Sequence, residues 1–410
     1  MSTGRKAFKL SRRGFLRSAI LAGAGGVLVP WSSLAEETIM QPFANGRRTM
    51  AVFPQKKPLI LLTSRPPQLE TPFSVFNESI LTPNDLFYVR YHLAGVPTSI
   101  DTATFRLEIK GKVNTPLSLS VRDLKKQFES VELVAVNQCS GNSRGFFEPR
   151  VPGGQWANGA MGNARWKGVR LKDILDKAGI DGSAKQVALR GLDYPILDTT
   201  PAFQKALDVD HAMDGEVMVA YEMNGSDLPL LNGFPIRLIV PGFFATYWVK
   251  HLHEVTVLDE DLASFWMKTA YRIPDNDCAC VAPGTAPTKT RPIGRFDVRS
   301  FITSLSDGQT LAVGKRIGIR GIAFDGGAGI ETVEFSSDGG NTWTETKLGK
   351  DYGNYSFREW TCHFTPKTAG NYSLQCRAVT RNGETQPTEP RWNPGGYMRN
   401  IIETVHVSAA

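Results

Sequence analysis

Residues 131–166, VELVAVNQCSGNSRGFFEPRVPGGQWANGAMGNARW, constrain this chain more than any other stretch. The opening VELVAV is the apolar run of a buried strand, and it delivers Cys139 into a Ser/Gly/Asn turn. More than twenty residues follow with many glycines, Pro149 and Pro152, and very little periodicity, so the strand ends in a large ordered loop. A soft thiolate at the head of such a loop, with Arg144 five residues on and Arg150 and Arg165 behind it, suits a metal-bearing anionic cofactor. The competing reading of a single Cys is a small buried hydrophobe.

At 410 residues and 41% hydrophobic content the chain is long enough for two substantial domains. Its formal charge of +7 is concentrated at one end: residues 1–35 hold Arg5, Lys6, Lys9, Arg12, Arg13 and Arg17 and no acid, leaving 7 − 6 = +1 for the remainder. A general affinity for nucleic acid or anionic membrane is therefore not implied. The twin arginine, Arg12-Arg13, precedes a weakly apolar, Ala/Gly-rich segment and then Ser33-Leu34-Ala35, the pattern of a Tat-type signal cleaved near Ala35. The apolar run is far shorter than the ~20 residues that span a bilayer. The expectation is a periplasmic protein exported folded, with no membrane anchor after processing. An odd number of cysteines, Cys139, Cys278, Cys280, Cys362 and Cys376, leaves at least one thiol unpaired or liganded in an oxidising compartment. Cys362 and Cys376 flank an expected hairpin, where a disulfide is possible; Cys278-Ala279-Cys280 is a redox pair or incidental.

Residues 38–71 are Pro-rich and mixed and read as an arm wrapping a surface. Residues 82–98, TPNDLFYVRYHLAGVPT, open in a turn and continue as an alternating strand that puts Arg90 and His92 on one side. Strands are expected over 104–118, 186–193, 216–221, 236–240 and 251–258, and helices over 121–127, 169–178 and 201–207. Strands and short helices mix without a β-α-β repeat or a Gly-x-Gly-x-x-Gly turn, so an α+β domain is expected over residues 36–284. The Gly/Pro/Thr-rich linker at 278–292 marks a boundary. Over residues 285–410, six or seven short strands separated by Asp/Gly/Asn turns predict an immunoglobulin-like β-sandwich.

Arg90-x-His92 on a strand, Cys139-Ser-Gly-Asn-Ser-Arg144 on a later loop and Tyr271 far downstream follow one another in an order that resembles the sulfite oxidase family of molybdenum enzymes. The motifs NQCSGNSRGFFEPRVPGGQW, NGAMGNARW, GFPIRLIVPG, YWVKHL and AYRIPDN carry the resemblance, which runs from about residue 54 to the C-terminus. It is nearest to the molybdenum subunits of bacterial periplasmic sulfite dehydrogenases, with the sulfane dehydrogenase subunit of thiosulfate-oxidising systems close by.

The resemblance implies a molybdenum–molybdopterin cofactor (Moco) whose metal is held by Cys139. It assigns cofactor binding to Tyr88, Val89, Arg90, Tyr91, His92, Asp193, Asn232, Arg237, Trp248, Val249 and Lys250, and substrate binding and catalysis to Arg90, Arg144 and Tyr271. Two departures stand out. Asn232 occupies the place of a His in the animal enzymes, and the family's further substrate arginine, which follows a Trp-Asn pair, has Arg399 as its replacement after Trp392-Asn393. The implied reaction is oxidation of sulfite to sulfate by oxygen-atom transfer, with electrons leaving singly to a c-type cytochrome. No Cys-x-x-Cys-His occurs, so no haem is expected in this chain, and the cytochrome would be a separate subunit or a soluble protein. The sandwich implies a homodimer, or a heterodimer with the cytochrome. The alternative is a sulfane dehydrogenase molybdenum subunit.

Overall fold

A computed structural model describes residues 37–410; the export signal expected over residues 1–35 lies outside them. The described residues are mostly strand, and their longest α-helix, Leu171–Ala178, has eight residues. That helix buries Leu171, Ile174, Leu175 and Ala178, the i, i+3, i+4, i+7 stripe that its sequence spacing requires. The helix Val121–Gln127 begins at a capping box, in which Ser120 and Asp123 each satisfy the other's backbone N–H.

Three larger sheets and a two-stranded ribbon, Arg272–Pro274 with Thr290–Pro292, form the N-terminal region. The first is an antiparallel meander of Thr38–Met40, Arg47–Ala51, Leu59–Ser64, Pro67–Glu70 and Val89–Arg90. The expected surface arm over 38–71 is thus a sheet, whose strands are too short and Pro-punctuated to show a period of two. The second sheet is mixed, running Gln204–Asp208, Gln186–Gly191, Leu252–Leu258, Leu107–Gly111, Leu117–Leu119, with Leu252–Leu258 parallel to Leu107–Gly111. Residues 201–207, expected as a helix, instead supply its edge strand, because pairing along Gln186–Gly191 overrides the helix propensity of Gln204, Lys205, Ala206 and Leu207. The third sheet contains the long hairpin of Val131–Gln138 against Met161–Arg170, extended by Met218–Met223 and Arg237–Ile239.

The C-terminal region is a β-sandwich. One sheet orders Arg299–Ile302, Ile317–Phe324, Arg358–Phe364 and Lys347–Leu348; the other holds Gln309–Leu311, Thr404–Ala409, Gly370–Thr380, Ile330–Ser336 and Thr344–Glu345. Ile319, Val333, Trp360, Leu374 and Val407 fill the space between them. Cys362 and Cys376 are free thiols: their strands belong to opposite sheets and form no hairpin, so the disulfide considered between them is not made. Cys278 and Cys280 are bridged to each other.

The two regions share side chains. Phe296, Phe301, Phe324 and Phe357 of the sandwich belong to the large core that also contains Cys139 and Trp166. Arg299, 2% exposed, crosses from the sandwich to the Cys139 loop, donating from Nη2 to Ser143 Oγ at 2.9 Å while pairing with Glu403 at 3.3 Å. The ends of the sandwich strands therefore help to fix the loop that carries the cysteine.

Candidate active site

Cys139 follows directly on the strand Val131–Gln138, and its backbone N–H donates to Ala160 O at 2.9 Å, which closes the neck of the long loop. Inside the loop, Ser143 N–H donates to Ala157 O and Gly145 N–H to Trp156 O, and the Trp156 side chain is 1% exposed. Glu70, also 1% exposed, clamps the loop from outside: its two carboxylate oxygens accept the N–H groups of Ala157 (3.1 Å) and Gly159 (2.8 Å). Gly159 is required by this packing, since a Cβ there would sit 2.0 Å from Thr71 O. Burial pushes the Glu70 carboxyl up to about 7.

Beside Cys139 lies a cavity of about 40 Å³, lined by Tyr88, Arg90, His92, Asn137, Cys139, Ser140, Asp193, Asn232, Arg237, Thr246, Trp248, Val249, Lys250 and Tyr271 among others. Eleven of the sequence-predicted residues are thus brought together around one cavity: Tyr88, Arg90, His92, Cys139, Asp193, Asn232, Arg237, Trp248, Val249, Lys250 and Tyr271. Alternation decides the Tyr88–His92 segment. Residues 88, 90 and 92 face the cavity, while Val89 and Tyr91 point behind it into a small core with Leu59, Leu69 and Leu231. The Val89 and Tyr91 side chains therefore do not line the site, contrary to expectation, although the Tyr91 ring lies 4.2 Å from the Lys250 ammonium.

Arg144 and Arg399 are not lining residues either. Arg144 is drawn to the cavity's edge by carbonyls, donating to Gly395 O from Nε (3.2 Å) and Nη2 (3.0 Å) and to Gly154 O from Nη1 (3.2 Å), with the Tyr397 ring 5.2 Å away. Gly396 allows this approach: it has φ +57, and a Cβ there would meet Val151 at 2.3 Å. Arg399 lies on the other side of the Cys139 loop, paired with Glu403 and packed over Phe146 at 5.1 Å. In its stead the segment after Trp392-Asn393 presents Tyr397, which stacks on Tyr271 with centroids 5.5 Å apart and planes at 16°. Tyr271 itself has φ 57, a left-handed conformation rare for an aromatic residue. Its hydroxyl and His92 Nε2 are 2.5 Å apart, and the His92 ring stacks on Phe203 at 3.9 Å. Burial, reinforced by Arg90, Lys250 and Lys205, holds His92 neutral with its pKa well below the usual value, while burial pushes the Tyr271 phenol up. A neutral phenol and a neutral imidazole share that proton.

The cavity is rich in buried cations. Arg237, 3% exposed, donates to Asn232 O (2.9 Å) and Trp248 O (3.1 Å) and lies 5.2 Å from the Trp166 ring. Burial brings it down to about 10. Lys250 Nζ donates to Arg90 O at 2.7 Å; burial first, then Arg237, push it down to about 7 against the opposing pull of Asp193. Sequence reading missed Lys56, whose buried ammonium donates to Asn232 Oδ1 and to Phe87 O (3.0 Å) and so fixes the amide that replaces the family's His. Only its place in an apparent arm concealed it.

Five buried polar atoms of residues lining this cavity have no hydrogen-bond partner within the protein: Arg90 Nη1, Asn137 Nδ2, Ser140 Oγ, Arg237 Nε and Thr246 Oγ1. Buried donors left unpaired are expensive, and several converging on one cavity fit a bound group with many acceptors and negative charge. A pterin with a terminal phosphate, and a metal taking the Cys139 thiolate, has that character. Among the described residues there is no cluster of three His, Cys, Asp or Glu side chains that could hold a metal ion.

Comparison with known proteins agrees with this chemistry. Residues 92–266 match the family model of the oxidoreductase molybdopterin binding domain, and residues 290–410 that of the Mo-co oxidoreductase dimerisation domain. The chain is 36% identical over 376 residues to mitochondrial sulfite oxidase of Macaca fascicularis, covering 87% of this chain and 67% of that one. It is 30% identical over 377 residues to sulfite oxidase of Arabidopsis thaliana, covering 86% and 93% respectively. It spans about two thirds of the length of its mammalian relatives. In three dimensions it is similar to the sulfane dehydrogenase SoxCD from Paracoccus pantotrophus, with a TM-score of 0.70, 25% identity, and 83% and 84% of the two chains covered. A cysteine at the head of a clamped loop, a cation-rich cavity with unmatched donors, and these relatives lead to one conclusion: the chain belongs to the sulfite oxidase family of molybdenum oxidoreductases.

Proposed function

We propose that this chain oxidises sulfite to sulfate at a molybdenum–molybdopterin centre held by Cys139, and passes the electrons singly to a c-type cytochrome. The observation that carries the reading is the group of unmatched donors beside Cys139, Arg90 Nη1 and Arg237 Nε among them, in a cavity that Lys250 and Tyr271 also line. The cofactor, when bound, supplies the oxygen-atom transfer and the two-electron redox couple. The protein supplies everything that orients the anion. Arg90, with Nη1 free, binds a sulfite oxygen by a charge-assisted hydrogen bond. Tyr271, fixed by His92 beneath and Tyr397 alongside, offers its hydroxyl at a set position. Arg237 and Lys250 take the phosphate end of the pterin. The balance is sulfite plus water giving sulfate, two protons and two electrons.

The C-terminal sandwich is read as an immunoglobulin-like module that joins two copies of the chain, and the twin-arginine N-terminus as the signal that exports the loaded protein to the periplasm. The fold shared with SoxCD favours a second reading, oxidation of sulfane sulfur on a partner protein. Cys139→Ser tests the site common to both. The variant is expected to lose molybdenum, by mass spectrometry of the metal, together with all turnover; full molybdenum content with full turnover would refute the ligand assignment.

A further inference from the structure

Lys205 is a lysine with no anion. It belongs to the edge strand Gln204–Asp208 and is 0% exposed. Its ammonium donates to Trp266 O at 2.8 Å and lies 4.4 Å from the Tyr247 ring and 5.5 Å from the Tyr271 ring. Among the described residues no carboxylate forms an ion pair with it; the charged group that acts on it is Arg272, another cation. The other groups facing it are the phenols of Tyr247 and Tyr271 and, through Tyr271, the neutral His92. Tyr247 is itself committed, donating from its hydroxyl to Ile293 O at 2.5 Å.

An unpaired ammonium in a dry interior is costly, and protein interiors normally pair or neutralise such a group. Here it is kept 5.5 Å from the ring of Tyr271, which lines the cavity, while Lys205 itself does not. Two effects follow from that placement. The cation attracts the electron-rich ring face of Tyr271 and holds the ring against Tyr397, and its field reaches into the cavity through a medium of low polarity.

We propose that Lys205 is a positioning residue for Tyr271 and an uncompensated charge that draws a sulfur oxyanion into the cavity. This rests on the sulfur-oxyanion reading of the site. Burial, with Arg272 adding to it, lowers Lys205 to about 7, so the charge is present in acid and fades as the pH rises through neutrality. Lys205 is thereby a pH-dependent contributor to anion affinity.

Sulfate is the probe, because unlike sulfite it does not change charge between pH 6 and 9. Its binding to molybdenum-loaded wild type, Lys205→Met and Lys205→Arg is measured by titration calorimetry at both pH values. Relative to wild type, Lys205→Met is expected to bind about tenfold more weakly at pH 6 and within about twofold at pH 9, for a charge acting across several ångströms of protein. Lys205→Arg, which does not deprotonate, is expected to lose less sulfate affinity than the wild type between pH 6 and pH 9, the loss that remains being that of Lys250. Lys250 titrates in all three proteins and cancels in the comparison. Equal sulfate affinity of wild type and Lys205→Met at pH 6 overturns the proposal, as does a Lys205→Arg profile that falls with pH like the wild type. If Lys205→Met does not fold, the Lys205→Arg profile decides alone. Sulfite turnover by the wild type is scored separately, so failure of the catalytic reading and failure of the Lys205 proposal give different results.

Discussion

Glu70→Gln is the perturbation whose outcome the structure fixes most closely. The Glu70 carboxyl is 1% exposed, its two oxygens accept the N–H groups of Ala157 and Gly159, and burial outweighs those bonds, raising it from 4.5 to about 7. Because the folded value lies above the unfolded one, its contribution to stability is fully present below about pH 4.5 and is lost as the pH rises through about 7. At about 1.4 kcal/mol per pH unit, that interval is worth about 3 kcal/mol, or about 4 °C in Tm for a chain of this length. Glutamine is nearly isosteric with the protonated acid but does not ionise. Its Nε2 cannot accept the N–H that one carboxylate oxygen takes, so the variant should melt below the wild type at pH 4.5, and by pH 8 the difference should have moved by about 4 °C in favour of the variant. Scanning calorimetry of cofactor-free protein at half-unit pH steps measures this directly, since every other titrating group is common to both. Parallel Tm curves for the variant and wild type from pH 4.5 to 8 would refute the reasoning, and so would a divergence of the opposite sign.

Arg237→Met should leave a folded protein that retains less than about one tenth of the wild-type molybdenum, because the guanidinium with the free Nε is lost from the cavity wall; metal analysis after identical loading checks it. Reduction of the Cys278–Cys280 disulfide should lower Tm by only about 2 °C, since a bridge spanning so few residues restrains the unfolded chain little; melting with and without dithiothreitol measures the change.

Most of the candidate site was legible in the sequence because its residues lie in contiguous, chemically marked segments. The strand before Cys139, the alternation at residues 88–92 and the cations Arg237 and Lys250 announce themselves by residue type and local spacing. The residues whose side chains do not line the cavity owe their positions to distant contacts. Arg144 is turned to the edge of the cavity by Gly395 O, 251 residues away, and Arg399 is held off by Glu403. Tyr397, Lys56 and Lys205 carry no local signal at all: each sits in an unremarkable segment and reaches the site through strand pairing or loop packing. The same cause explains residues 201–207, where sheet registry with Gln186–Gly191 overrode helix propensity. At Gly159 of the Cys139 loop the packing that demands glycine is the protein's own, against Thr71 and Glu70.

The central claim is that the cavity beside Cys139 turns over free sulfite. Steady-state reduction of cytochrome c by the purified, molybdenum-loaded chain, with sulfite and with a protein-bound persulfide as alternative substrates, tests it most directly. The account predicts saturable, sulfite-dependent reduction at two cytochromes per sulfate formed. Turnover of the persulfide with none of sulfite, in protein carrying about one molybdenum per chain, would contradict it.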